Sequence, residues 1–208
     1  MRKGFGICCI ILGMCCLLAC VGLIAHNRME EKSAQTASNN ILQDVRENIP
    51  DSKPEENITE TPPQKSDPEI SSDIPQEMLT TQVNGYDCIG VLSIPVLELE
   101  LPVLTDWSYA KLRVAPCHYF GSCYGENFVI AAHNYRTHFG RLSELQQKDL
   151  ILFTDISGTV HYYEVVLLET LPGSATEEMI TSGFDLSLYT CTPGGASRVT
   201  VRCSAVSQ

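Results

Sequence analysis

The feature that most limits how this chain can fold is an uncharged apolar run near its beginning. Phe5–Ala25 contains 21 residues without a charged side chain. A helix of that length crosses the hydrocarbon core of a bilayer, so the run is predicted to form a single membrane-spanning helix. Arg2 and Lys3 precede it, and basic residues favour the cytoplasmic side. The N-terminus is therefore expected in the cytoplasm and the rest of the chain outside the cell.

Two other interpretations of the run stay open. A cleaved signal peptide has a shorter apolar core, of about 7–15 residues, and a small-residue cleavage site, and no such site follows cleanly. Leu17–Cys20 could be a lipoprotein processing site, but the apolar run continues beyond it. An uncleaved anchor spanning residues 1–26 is the favoured interpretation.

Residues 27–85 are polar and acidic, and they contain six prolines: Pro50, Pro54, Pro62, Pro63, Pro68 and Pro75. A segment with so few large apolar residues cannot bury a core, so it is expected to be disordered or extended. We interpret it as a linker that holds a domain away from the membrane.

Residues 86–208 are predicted to form one folded domain. Short runs of alternating apolar and polar residues are separated by turn residues, which is typical of β-strands. The predicted strands are Ile89–Ile94, Leu99–Leu104, Phe128–His133, Asp149–Thr154, Val160–Glu169, Leu186–Thr190 and Val199–Val206. Short helices are expected at Trp107–Val114, Phe139–Leu145 and Ala175–Thr181. The fold class is therefore mainly β, and this many short strands favour a closed β-barrel.

The last two predicted strands bring together two residues whose side chains could take part in catalysis. Pro193-Gly194-Gly195 separates the strands, and proline and glycine favour a turn there. Cys191 lies where the first strand ends and Arg198 where the chain returns. A thiolate is the nucleophilic form of cysteine, and an arginine can stabilise the oxyanion formed when a carbonyl is attacked.

An acid/base group is expected from another strand. His133 ends the apolar run Phe128–Ala132, where a buried strand would deliver it to a cleft. On its own, Cys191 would more often be a small core residue, and a lone histidine would more often be a satisfied core residue. The combination of the three residues favours a catalytic site.

These segments resemble the motifs of one family. Leu188-Tyr189-Thr190-Cys191-Thr192-Pro193 followed by Arg198 resembles the TLxTC…R signature of the sortases. Ile130-Ala131-Ala132-His133-Asn134 resembles their catalytic-histidine strand, and Cys117-His118-Tyr119-Phe120-Gly121-Ser122 resembles the GHYPGS segment before it. Ser187 and Ala132 replace a threonine and a glycine of these motifs, which leaves the subclass unassigned.

The resemblance implies an eight-stranded barrel and a cysteine transpeptidase. Cys191 would attack a backbone carbonyl of an LPxTG-like sorting signal and form a thioacyl-enzyme, and His133 would be the acid/base. Arg198 matches the family's catalytic arginine, and Arg202 is expected to be structural. The acyl group would pass to an amine, from a cell-wall peptide or a pilin lysine. A hydrolase of the same fold and a non-catalytic peptide-binding module are the alternatives.

The resemblance also implies substrate-binding residues at Thr190, Ala132, Asn134 and His118. His138 and His161 are expected at the surface. No cysteine and histidine cluster has zinc spacing, so no metal or cofactor is predicted. The net charge of −11 argues against a nucleic-acid partner. Five of the ten cysteines lie in the first twenty residues, and those of the domain other than Cys191 are more often free, buried thiols than disulfides.

Overall fold

The computed structural model of the chain describes residues 2–50 and 77–207. Within those ranges the chain forms three α-helices, nine strands and two 3₁₀ turns. The helices are α1 Arg2–Asn48, α2 Tyr109–Leu112 and α3 Thr176–Ile180, and the 3₁₀ turns are Pro95–Leu97 and Leu142–Glu144. The strands are β1 Thr81–Val83, β2 Tyr86–Ile94, β3 Leu99–Leu104, β4 Cys117–Phe120, β5 Phe128–Ala131, β6 Leu150–Asp155, β7 Val160–Pro172, β8 Leu186–Cys191 and β9 Ser197–Ala205.

Strands β2 to β9 close into an eight-stranded barrel, as predicted. The strand order is β1-β2-β3-β4-β5-β8-β9-β7-β6, and β6 pairs back with β2. All neighbours are antiparallel except β3–β4 and β5–β8. At the closure, a Cβ atom on Gly90 would lie 2.2 Å from the carbonyl oxygen of Thr154. Glycine therefore permits β6 to approach β2 closely at this position.

The inward side chains of the strands form the main core. Phe128, Phe153, Leu92, Ile130 and Leu188 are buried within it. Apolar burial of this kind is the dominant favourable contribution to folding. The cleft described below lies on the outer face of β4, β5 and β8.

The sequence prediction missed two strands and overestimated several elements. Strands β1 and β4, of three and four residues, are too short to show a clear alternation. The helix predicted over Trp107–Val114 is the single turn α2, and the strand expected to reach His133 ends as β5 at Ala131.

The expectation of disorder in residues 27–85 is wrong for the described parts of that segment. Residues 27–48 continue α1 without a break, and residues 81–83 form β1. Isolated polar helices are marginal in water, but packing of one face stabilises them. The face of α1 that is buried against the barrel carries Ala34, Ser38, Ile41 and Val45. Residues 51–76 of the predicted linker lie outside the described residues.

The buried face of α1 completes a second apolar cluster. Ile41 and Val45 pack with residues of β1 to β4, namely Val83, Cys88, Val91, Leu104 and Cys117. At the rim, Arg46 pairs with Glu100, and the Asn84 side chain donates to Asp44 at 2.6 Å. The helix is thus part of the folded domain.

The N-terminal half of α1 has the opposite character. Its apolar side chains are exposed all round; Ile10, Leu17, Val21 and Ile24 are 56–69% accessible. A helix that is apolar on every side and uncovered by protein fits a lipid environment. In the described residues, one helix is long and apolar enough to cross a membrane, and it is this one.

Candidate active site

Strands β5 and β8 deliver His133 and Cys191 to the same edge of the barrel. The two strands are parallel neighbours, with Ala131 opposite Tyr189. His133 and Cys191 each lie two residues further along the chain. Parallel strands advance together, so both residues lie where the strand pair ends.

Strand β9 adds the third residue of the predicted site. In the antiparallel β8–β9 pair, Arg198 is the partner of Cys191. Gly194 and Gly195 adopt positive φ angles of 87° and 75° in the turn between the strands, which glycine tolerates without strain. The Arg198 guanidinium donates from Nη1 to the carbonyl of Gly195 at 3.1 Å. The turn therefore holds the cation beside the thiol's strand.

Thr190 and Ala132 connect the two strands just before the site. The Thr190 hydroxyl donates to the Ala132 carbonyl at 2.9 Å, and the Ala132 N–H donates to the Tyr189 carbonyl at 3.2 Å. Thr190 is buried, so its side chain fastens the backbone that carries His133.

The described cysteines of the barrel differ sharply in environment. Cys191 is exposed, whereas Cys88, Cys117, Cys123 and Cys203 are buried and free. Burial raises the pKa of each of those four thiols to about 12, because a thiolate is poorly solvated there. Such thiols are poor nucleophiles, because little of the thiolate form is present at neutral pH.

The His133 ring is held by its two successors in the chain. It stacks on Tyr135 with ring centroids 4.2 Å apart and an angle of 4°. Its Nδ1 lies 3.1 Å from the backbone N–H of Asn134 and 3.0 Å from Asn134 Oδ1. Asn134 therefore supplies both of these polar neighbours of Nδ1.

His138 lies beneath this loop and is completely buried, so the prediction of a surface residue is wrong. Its ring meets Tyr135 edge-on, with centroids 5.6 Å apart. Neither ring nitrogen finds a hydrogen-bond partner among the described residues. Burial, and then the nearby His133, lower the pKa of His138 to about 4. His138 is therefore neutral at physiological pH.

Arg202 is structural in its contacts, as expected. It is 2% exposed and forms an ion pair with Glu169 at 2.7 Å. It also donates to the Ser187 hydroxyl at 2.8 Å and to the Glu178 carbonyl at 2.8 Å. These contacts satisfy the buried cation and join β9 to the segment that precedes β8.

The ring of His118 lies between two backbone carbonyls. Its two ring nitrogens lie 3.1 Å from the Thr105 carbonyl and 2.8 Å from the Gly121 carbonyl. The ring thus links the loop after β3 to the turn after β4.

A cleft of about 130 Å³ opens on the outer face of β5 and β8. Cys191, Arg198 and Ala132 line one part of it. One wall is aromatic: Trp107 lies 5.6 Å from Tyr119, and Tyr119 lies 5.4 Å from Tyr189, centroid to centroid. The other wall comes from the segment between β7 and α3 and from Met179.

The aromatic wall is the part of the site that the sequence prediction missed. Trp107 and Tyr119 come from separate segments before and within β4, and Tyr189 from β8. The motifs contain Tyr119 and Tyr189, but nothing in their spacing indicates that they meet.

In the described residues, one group of side chains has ligand atoms close enough together to hold a metal ion: Cys123, Asp155 and His161. Asp155 already accepts five hydrogen bonds, from Tyr124, His161, Thr159, and the backbone and hydroxyl of Ser157. These bonds satisfy the buried carboxylate, which holds the β6–β7 turn together. His161 is half-buried against it, so the prediction of a surface residue is wrong here as well.

Comparisons with known proteins agree with the architecture. The sortase domain family model matches residues 92–206, which is more than half of the chain. Sortase A from Corynebacterium diphtheriae is 24% identical, with a TM-score of 0.53 over 59% of this chain and 62% of that one. Streptococcus pneumoniae sortase C is 26% identical, with a TM-score of 0.52 over 58% and 67%. A search of curated proteins gave no match.

The barrel has the sortase fold, and the chain belongs to the sortase family. It spans about three fifths of the length of the Corynebacterium protein. Solved relatives include classes A and C, so the subclass stays unassigned.

Proposed function

We propose that this protein is a membrane-anchored transpeptidase that cleaves an LPxTG-like sorting signal and transfers the acyl half to an amine. The observation that carries the proposal is the strand pairing: Cys191 and His133 follow the parallel neighbours β8 and β5 at the same edge of the barrel, and Arg198, at the start of β9, is the partner of Cys191. A nucleophile, an acid/base and an oxyanion partner are the groups that acyl transfer needs.

The first half-reaction forms a thioester. The Cys191 thiolate attacks the scissile carbonyl carbon, and the carbonyl electrons move to oxygen. Arg198 stabilises that oxyanion. When the C–N bond breaks, His133 donates the Nε2 proton to the leaving amine, and the acyl half stays on Sγ.

The second half-reaction reverses the proton flow. An incoming amine attacks the thioester carbonyl and gives its proton to His133. The C–S bond breaks, the new amide leaves, and Cys191 returns as a thiolate. The amine comes from a cell-wall peptide or a pilin lysine.

The cleft supports a peptide substrate with apolar side chains. Its walls are aromatic and aliphatic, and Cys191, Thr176 and Arg198 add polar groups, a combination typical of ligand sites. The solved structures include a Clostridium perfringens sortase C with its C-terminal cell-wall sorting motif. Ala132 lines the cleft and supports a substrate-binding role. Contacts of Thr190, Asn134 and His118 favour supporting roles next to the substrate.

The exposed apolar half of α1 supports a single-pass anchor with the barrel outside the cell. The N-terminal basic residues favour a cytoplasmic N-terminus. The peptide and amine substrates would then meet the cleft at the outer surface of the membrane.

Product analysis tests this function. The full chain in detergent micelles is incubated with LPxTG-type peptides, with and without a glycine-based amine, and the products are read by mass. The full chain is needed because a fragment starting at residue 83 would lose the packing of Ile41 and Val45. We expect an acyl–amine product that depends on added amine and is absent in Cys191→Ala.

The alternatives give different products. A hydrolase releases the acyl half as a free acid whether or not amine is present. A binding module leaves every peptide intact while still binding it. Either result would contradict transpeptidation.

A further inference from the structure

Helix α1 connects the apolar run directly to the catalytic barrel. The run ends at Ala25, and the helix continues without interruption to Asn48. Glu31 lies six residues beyond Ala25, a rise of about 9 Å at 1.5 Å per residue. The distance along α1 from Ala25 to each contact with the barrel therefore gives the distance of that part of the barrel from the bilayer.

The first of these contacts is at the catalytic end. A carboxylate oxygen of Glu31 accepts the backbone N–H of Thr137 at 3.3 Å. Thr137 belongs to the loop that follows His133, and the negative charges of Glu30 and Glu31 act on Tyr135 in the same loop. The part of α1 nearest the bilayer thus touches the loop of the proposed acid/base.

The last contact is at the opposite end. The carbonyl of Pro50 lies against Gly158, where a Cβ atom would come within 2.9 Å of it. Gly158 is in the β6–β7 turn, and β7 then runs 13 residues to Pro172, which lines the cleft. The longest strand of the barrel therefore separates this contact, two residues beyond the end of α1, from the cleft.

We propose that α1 holds the catalytic end of the barrel against the bilayer surface and turns the β6–β7 end away from it. This inference rests on the proposed anchor and deepens the proposed function. The surface that meets the lipid headgroups comprises the loop 134–137 and the β8–β9 turn Thr192–Ser197. The headgroup layer on each side of the hydrocarbon core is about 5–8 Å thick, so a loop at about 9 Å lies at its outer edge.

The docking of α1 is specific enough to fix this orientation. Buried residues recur at positions 34, 38, 41 and 45, a spacing that keeps one helix face against the barrel. Polar contacts flank that face from Glu31 to Arg46. A flexible tether at residue 27 would allow every orientation, whereas a continuous docked helix allows one.

The proposed surface carries basic side chains beside the acidic Glu30 and Glu31 of α1. Arg136 is exposed in the loop 134–137, and Arg198 lies beside the β8–β9 turn. Basic side chains near the headgroups are attracted to anionic lipids. On the opposite end, Glu126 is exposed just before β5.

Fluorescence quenching by lipids that carry a nitroxide on the headgroup tests the orientation. The full chain is reconstituted into vesicles that contain anionic lipid, in a Trp107→Phe background that removes its one tryptophan. New tryptophans are placed at exposed sites on the two ends, by Ala196→Trp in the β8–β9 turn and by Glu126→Trp as the matched control. We expect severalfold stronger quenching in the Ala196→Trp chain. Equal quenching, or stronger quenching in Glu126→Trp, overturns the proposal.

A second comparison tests whether docking of α1 sets the orientation. Ile41→Asp with Val45→Asp places charges in the buried face, and Gln43→Asp places one on the exposed face of the same helix. In the Ala196→Trp chain, the double substitution should weaken the quenching and Gln43→Asp should leave it unchanged. Quenching that survives the double substitution overturns the role of docking.

These outcomes separate this inference from the proposed function. A chain that fails to float with vesicles overturns the anchor and the orientation together. A chain that floats and transfers peptide but shows equal quenching overturns the orientation alone. The predicted quenching in the tryptophan variants, together with no peptide transfer by the wild-type chain, supports the orientation and overturns the transpeptidase function.

Discussion

Replacement of His138 by phenylalanine should stabilise the barrel and remove part of its acid sensitivity. His138 is 0% exposed, and both ring nitrogens lack hydrogen-bond partners among the described residues. An unsatisfied buried polar group costs about 1–3 kcal/mol. Phenylalanine keeps the edge-on contact with Tyr135 and removes both nitrogens. We therefore expect His138→Phe to raise the free energy of unfolding at pH 7 by about 1 kcal/mol.

The pH dependence of stability follows from the pKa of His138. That pKa is about 4 in the folded chain, against an ordinary value of 6.5. Below pH 6.5 the unfolded chain binds the proton and the folded chain does not, so stability falls as the pH drops from 6.5 towards 4. At pH 5 the loss attributable to this group is about 2 kcal/mol. The His138→Phe variant should lose about that much less than the wild type between pH 7 and pH 5.

Urea unfolding of the full chain in detergent, followed by Trp107 fluorescence, measures both effects. Tyr162→Phe is the matched control, because it changes a half-buried aromatic residue and leaves His138 in place. It should reproduce the wild-type change between the two pH values. The reasoning is refuted if His138→Phe loses as much stability as the wild type between pH 7 and pH 5.

Three further predictions concern the site. Arg202→Ala should destabilise the barrel by about 3–5 kcal/mol in urea unfolding, because it leaves the partly buried Glu169 without its ion-pair partner and removes several hydrogen bonds. Arg198→Ala should leave stability nearly unchanged while lowering peptide turnover about 10²–10³-fold. The reverse pattern would exchange the roles of the two arginines. Thr190→Val should cost about 1 kcal/mol of stability and also reduce peptide turnover, since it removes the hydrogen bond to the Ala132 carbonyl next to His133. Thr190→Ser should keep both stability and turnover. A fully active Thr190→Val variant would contradict the positioning role. A thiol alkylating reagent at pH 8, with peptide mapping of the product, should label Cys191 while the four buried barrel thiols react only after denaturation; rapid labelling of a buried thiol in the folded chain would contradict the assignment.

The site was predictable from the sequence where a residue with a reactive side chain lies at the end of a predicted strand. Cys191 and His133 each lie at the end of a predicted strand, and a parallel strand pair brings such ends together whatever the residues between them. The register of the β8–β9 pair could be inferred from the turn Pro193–Gly195. The distinction between Arg198 and Arg202 needed the resemblance, because both lie on one face of the strand.

The parts that were missed depend on packing between distant segments. Ile41 and Val45 are isolated apolar residues in a polar stretch, and only the surface of β1–β4 explains why they form a helix face. Tyr119 and Tyr189 meet because β4 and β8 both flank β5. His138 looks like a loop residue in sequence, and its burial follows from the path of the chain after His133.

The central claim is that Cys191 forms a thioester with a peptide substrate. Intact-mass analysis of the full chain, after incubation with LPxTG-type peptides without amine and rapid acid quenching, tests it directly. We predict a mass increase equal to the acyl half of one peptide, located on Cys191 by digestion, released by added amine and absent in Cys191→Ala. A covalent adduct on another cysteine, or peptide cleavage that persists in Cys191→Ala, would contradict this account.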